Sequence, residues 1–142
     1  MKLFSRQSGF TLIELLVAIS IIGVLAAVLL ANMVGVRERG ADAKLKNDLN
    51  QLKTALRLYY NDNQGYPAGD NTCIAVLGEP FEAADGTPYM NELPEGCEYE
   101  SADSDAFVIY VPLNNDGDPA GDESATKCGQ ATGQGRYYVC AD

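Results

Sequence analysis

Three groups of residues in this 142-residue chain have types and spacings that suit chemistry. The first is a lone carboxylate, Glu14, at the start of an apolar run. From Leu15 to Ala31 no charged residue follows it, and Ser20 and Gly23 are the breaks in the pattern. A carboxylate at a bilayer centre costs on the order of 2.5–3.5 kcal/mol on insertion scales. Near the end of the run it can reach the headgroups; held inside, it calls for a positive partner, because a buried ion is tolerable only when paired and hydrogen-bonded. The second group is Cys73, Cys97, Cys128 and Cys140, at separations of 24, 31 and 12. These are not CxxC pairs, so zinc and thioredoxin-like chemistry are poorly served, and an even count behind an export segment favours disulfides over free thiols. The third is the acidic loop from Asn114 to Glu123. Its Asp116, Asp118, Asp122 and Glu123 offer oxygen to a hard ion such as calcium, although acidic turns are also commonly plain solvated loops. The EF-hand spacing fails: counted from Asn114 the sixth residue is Pro119, and counted from Asp116 the twelfth is Lys127. The chain has no histidine, which removes the commonest general base and zinc ligand; nothing in the sequence asks for catalysis.

The elements that must position these groups begin with a helix. As a helix, Phe10 to Val36 is roughly 40 Å long, enough to cross a hydrocarbon core of about 30 Å. Ahead of it, Met1 to Gly9 carries Lys2 and Arg6 and no acid. Beyond it, Leu45, Leu49, Leu52, Leu56 and Tyr59 recur at steps of 4, 3, 4 and 3, one stripe of an amphipathic helix. Asp42 with Lys46 and Lys44 with Asp48, at i,i+4, predict a solvated opposite face laced with weak ion pairs. One helix from Phe10 to about Asp62 is far longer than the usual 11–12 residues. Gly23, Gly35 and Gly40 weaken it, each by up to about 1 kcal/mol relative to alanine. Gly65 in a left-handed cap, with Pro67 behind it, predicts where it stops.

The order of these features is specific. Gly9-Phe10-Thr11-Leu12-Ile13-Glu14, after a short basic leader and before a continuous apolar helix, resembles the class III signal of type IV pilins and type II secretion pseudopilins. A second, weaker likeness is the Tyr59 to Pro67 stretch at the helix exit. The resemblance implies cleavage between Gly9 and Phe10 by a prepilin peptidase, N-methylation of Phe10, and assembly of the helices into a filament. It implies that Glu14, with Thr11 beside it, acts in assembly, the carboxylate pairing with a neighbouring subunit's terminal amine. It also implies a pilin-like fold and partners that are copies of the chain, other pilins and an inner-membrane assembly platform. Relatives often carry a proline at the position of Ala31, so a proline kink does not carry over. An ordinary secretory signal cut near Val24-Leu25-Ala26 and a plain single-pass anchor remain alternatives.

The remaining segments follow. Residues 1–9 form the leader, 10–36 the apolar helix, 37–62 the amphipathic helix and 63–142 the rest of the head. Ala68 to Glu95 is turn-rich and predicts a loop with one short helix near Ile74–Leu77. Cys97–Glu100, Ala106–Pro112 and Gly135–Cys140 predict strands. Three antiparallel strands, or four, laid across the leucine stripe make an α+β head. Three cysteine connectivities are possible. Cys73 with Cys97 and Cys128 with Cys140 is preferred, since sequential pairs close local loops, each worth about 3 kcal/mol.

Charge narrows the function. The formal charge is −10, and without the leader the side chains hold 8 basic and 20 acidic groups, or −12, so duplex nucleic acid is a poor partner. Three functions compete: a type IV pilus subunit, serving adhesion, motility or DNA uptake; the major pseudopilin of a type II secretion system; and a membrane-anchored extracytoplasmic enzyme or sensor. The last has no catalytic residues behind it. Family resemblance sets the first two apart, a C-terminal disulfide favouring the pilus and a calcium-like acidic loop, with no other cofactor expected, favouring the pseudopilus; the type IV pilus subunit is the preferred reading and the pseudopilin the alternative. The location implied is the inner membrane for the precursor, then an extracellular pilus or periplasmic pseudopilus.

Overall fold

The computed structural model describes residues 10–141, with 31–34 described by backbone alone. Among the described residues the elements run in the order α1 (Leu12–Asn63), β1 (Gly69–Thr72), α2 (Cys73–Leu77), β2 (Phe81–Glu82), β3 (Pro88–Met90), β4 (Glu98–Asp103), β5 (Ala106–Pro112), α3 (Pro119–Lys127) and β6 (Arg136–Cys140). The chain divides into two compact units, 1–37 and 38–142. In the described part of the first, every side chain is exposed. The second has a core.

That core is the leucine stripe under a sheet. Leu49, Leu52 and Leu56 have no exposed surface, Ala55 is buried with them, and Leu45 and Tyr59 pack at the margin. The sheet is antiparallel throughout, with strand order β1-β4-β5-β6. Tyr99 pairs with Ile109 and Ile109 with Val139, so alternate residues put Tyr99, Phe107, Ile109, Val111 and Val139 inward. The Tyr99 hydroxyl donates to the Pro67 carbonyl at 2.6 Å, and burial pushes its phenol up to about 12. A small hairpin, β2 with β3, adds Phe81, which packs on Tyr59 and Tyr89.

Disulfides join Cys73 to Cys97 and Cys128 to Cys140, with Cα atoms 5.4 and 5.7 Å apart. The first ties the start of α2 to the turn before β4; the second ties the end of α3 to the end of β6.

The helix exit differs from expectation. Gln64, not Gly65, takes the left-handed conformation (φ 58°), its N–H donating to the Tyr60 carbonyl at 2.7 Å and its side chain to the Asn61 carbonyl at 3.0 Å. Gly65 is needed for space instead: a Cβ there would sit 3.0 Å from the Ser104 Cβ.

Asp42 also differs. It is 1% exposed, not part of a solvated face, and its carboxylate accepts from Asn114 N–H (2.8 Å), Asn114 Nδ2 (2.9 Å) and Asn115 N–H (3.0 Å). Burial works to raise its pKa, but these hydrogen bonds and the Lys46 charge outweigh it and hold the carboxyl below the ordinary aspartate range. Lys46 itself pairs with Asp118 and lies 5.7 Å from the centre of the Tyr137 ring.

Candidate assembly site

The helix α1 opens with a reciprocal cap. Glu14 Oε2 accepts from the Thr11 N–H at 3.0 Å and from the Thr11 hydroxyl at 2.7 Å, while the Glu14 N–H donates to Thr11 Oγ1 at 3.3 Å. Thr11-x-x-Glu14 is thus a capping box, which satisfies otherwise orphaned donors and sets a negative charge at the positive end of the helix dipole. The sequence pattern of the box was open to inspection, yet the charge of Glu14 alone does not disclose it. In the isolated chain the carboxylate therefore has a local partner; one face of it is still open for a positive group.

Past this cap the large apolar side chains are exposed. Phe10 is 78% exposed, and the large apolar residues from Leu12 to Leu30 lie between 50 and 78%. Leaving fourteen such side chains in water forgoes on the order of 20 kcal/mol of burial. The helix has a mean hydropathy of 2.8 over its best 18-residue window and is long and apolar enough to cross a membrane. Ser20 does not interrupt this surface with an open polar group, because its hydroxyl donates to the Leu16 carbonyl at 2.7 Å. Gly9 lies outside the described residues; Thr11 and Glu14 are joined at the helix start, and the exposed Phe10 directly precedes them.

The four acids expected to offer calcium a site are given separate tasks. Asp118 caps α3, accepting the Ala120 N–H at 3.0 Å, and its other oxygen takes Lys46. Lys46 first, then the Ala120 N–H, hold its carboxyl below the usual range. Asp122 accepts the Gly133 N–H at 2.6 Å. Asp116 lies against Gly135, where a Cβ would come within 2.5 Å of its Oδ1. Glu123 lines a shallow groove that also holds Lys53 and Lys127. Among the described residues, no three His, Cys, Asp or Glu are grouped to hold a metal ion.

The second half of the loop, from Pro119, is the start of the helix α3, an element not expected from the sequence. Asp118-Pro119 was the available signal, a capping side chain followed by proline at the first helical position, with Lys127 in the last turn. Its buried face is Gly121, Ser124 and Ala125, too small to register as an apolar stripe. A Cβ on Gly121 would stand 2.8 Å from the Arg136 carbonyl oxygen, so glycine lets α3 close on β6. Ser124 completes the contact, donating to the Gly121 carbonyl at 2.8 Å and accepting the Tyr138 N–H at 2.9 Å.

Residues 4–30 match the family described as the prokaryotic N-terminal methylation motif. Over 139 residues the chain is 30% identical to type II secretion system core protein G of Vibrio cholerae serotype O1, covering 91% of this chain and 94% of that one. It is 37% identical over 86 residues to the core protein G of Aeromonas hydrophila, where the aligned stretch spans 61% of this chain and 60% of the relative, under two thirds of its length. It is 40% identical over 71 residues to the type IV wide pilus major component PilA4 of Thermus thermophilus, 50% of this chain and 54% of that one.

Proposed function

This chain belongs to the family of type IV pilins and type II secretion pseudopilins, and on that premise we propose that it is a filament subunit that polymerises through its apolar helix. The observation that carries the proposal is the described apolar surface up to Leu30, which the isolated chain leaves exposed beside a capped Glu14. In a membrane that surface is covered by lipid. In a filament it is covered by the helices of other copies, an exchange nearly neutral for apolar groups, since lipid tails are as apolar as leucine. Register must then come from a specific polar pairing. Glu14 supplies it, keeping its Thr11 cap and receiving the terminal amine of a neighbour's Phe10.

The amine exists only after the leader is removed between Gly9 and Phe10, so prepilin peptidase is the first partner, followed by the inner-membrane platform and other copies. N-methylation of Phe10 accompanies the cut. The reading is of a structural protein and not an enzyme. A type IV pilus on the cell surface and a periplasmic type II secretion pseudopilus draw equal support, the one from the Thermus likeness and the other from the Vibrio likeness. Electron microscopy of sheared surface material separates them, a pilus appearing there and a pseudopilus staying with the cell.

The processing step is tested by mass spectrometry of the mature protein. A methylated Phe10 terminus is expected; a terminus near Ala27 would make the chain an ordinary exported protein and overturn the proposal.

A further inference from the structure

The head carries a groove of about 1120 Å³, wide enough for several side chains. Its walls are the α1 residues Leu45 and Asp48 on one side and Met90, Glu92, Leu93 and Glu95 on the other. Leu45 and Met90, partly buried at the margin of the core, make an apolar floor together with the buried Leu93. Asp48, Glu92 and Glu95 set three carboxylates on the rim against one ammonium, Lys44. A partner for this groove needs an apolar side chain flanked by positive charge.

The same chain contains such a segment. Residues 37–57 hold six basic and three acidic side chains, a surplus of three positive charges. Residues 62–142 hold two basic and sixteen acidic ones, a surplus of fourteen negative. At the start of the basic stretch stand Val36, 65% exposed, and Arg37 and Arg39, both exposed. These residues lie within the helical span of α1, immediately ahead of the groove residues Ala41 and Lys44 on the same helix.

We propose that the groove receives the Val36–Arg39 stretch of a second copy, Val36 on the Leu45–Leu93 floor and the two guanidiniums on Glu92, Glu95 and Asp48. The contact is heterologous, one surface meeting a different surface, and repetition of such a contact gives a ring or an open filament. It rests on the self-assembly reading and adds to it a second register device, in the head. Rim charges of this kind act mainly on encounter rate and on the rejection of wrong registers, since like charges set opposite one another cost several kcal/mol.

The test is charge exchange in the full-length chain in its host, with filament yield read by electron microscopy. Glu92→Arg with Glu95→Arg, and separately Arg37→Glu with Arg39→Glu, are each expected to lower yield about tenfold or more, and all four together to return it to within about threefold of wild type. Mass spectrometry of the mature terminus and the melting temperature of the head are expected to stay unchanged, because all four positions are exposed. The inference is overturned if correctly processed reversals assemble normally, or if the four-fold exchange assembles no better than either pair. A wild-type chain that forms no filament overturns the self-assembly reading and this inference with it.

Discussion

Leu25 and Leu52 are the same side chain on the same helix, yet Leu25 is 59% exposed and Leu52 is not exposed at all. Around Leu52 the chain supplies its own cover, with Tyr99, Phe107, Ile109 and Val111 on the sheet above, two disulfides, and hydrogen-bond partners for every buried side-chain N and O among the described residues. Around Leu25 the described residues leave the apolar surface exposed. One region is closed by the chain's own residues and the other is left open to solvent among the described residues. Stability and assembly are therefore separable properties here, and substitutions sort by which region they touch.

The comparison breaks most visibly at Glu14. Glu14→Ala is expected to leave cleavage and the head's melting temperature intact while reducing filament yield more than tenfold, since a charge pair made at an interface fixes register. Filaments at normal yield from that variant would remove its assembly role. Next comes the leucine pair. Leu52→Ala should cost the head about 2–5 kcal/mol in denaturant unfolding, the usual loss for a buried leucine, whereas Leu25→Ala should leave head unfolding unchanged. Equal effects at the two sites would contradict the division into a closed and an open region.

Cys128→Ser with Cys140→Ser sharpens the account of the C-terminal part, because the bond between them anchors α3 to β6. A loss of about 3 kcal/mol in unfolding free energy is expected on the loop-entropy model, with Leu52 still buried in the unperturbed core. The smallest effect is at Asp42. Its folded pKa lies below the ordinary value of 3.8, so folding favours the ionised form. Its stabilisation is complete above that value and is lost as pH falls through the lower, folded value. Asp42→Asn should destabilise the head by about 1–3 kcal/mol at neutral pH and flatten that part of the acid-unfolding curve. An acid-unfolding profile with wild-type slope would show that the Asn114 and Asn115 contacts do not stabilise the carboxylate.

How much was legible depended on distance along the chain. The leucine stripe was readable because one face of a helix repeats every three to four residues, and β5 because Phe107 to Val111 are all β-branched or aromatic. The short helix near Ile74 and the α+β class followed from equally local patterns. Asp42 was misread because its partners are 72 and 73 residues away, while the i,i+4 Lys46 suggested a surface pair. Lys46 turned to Asp118 instead. The strand β1, Gly-Asp-Asn-Thr, is built of turn formers and exists by pairing with β4 at the sheet edge. The β2–β3 hairpin, with strands of two and three residues, has too few positions to show alternation. At the assembly site, the apolar run and Glu14 were plain in the sequence. The groove beside Leu45 was not, because its two walls are separated by more than forty residues.

The most direct measurement is the state of the processed chain in its host, observed by electron microscopy with an antibody against the head. The account predicts filaments built of copies whose methylated Phe10 termini are buried inside. A correctly trimmed protein that remains a solitary anchored molecule at native abundance would contradict it.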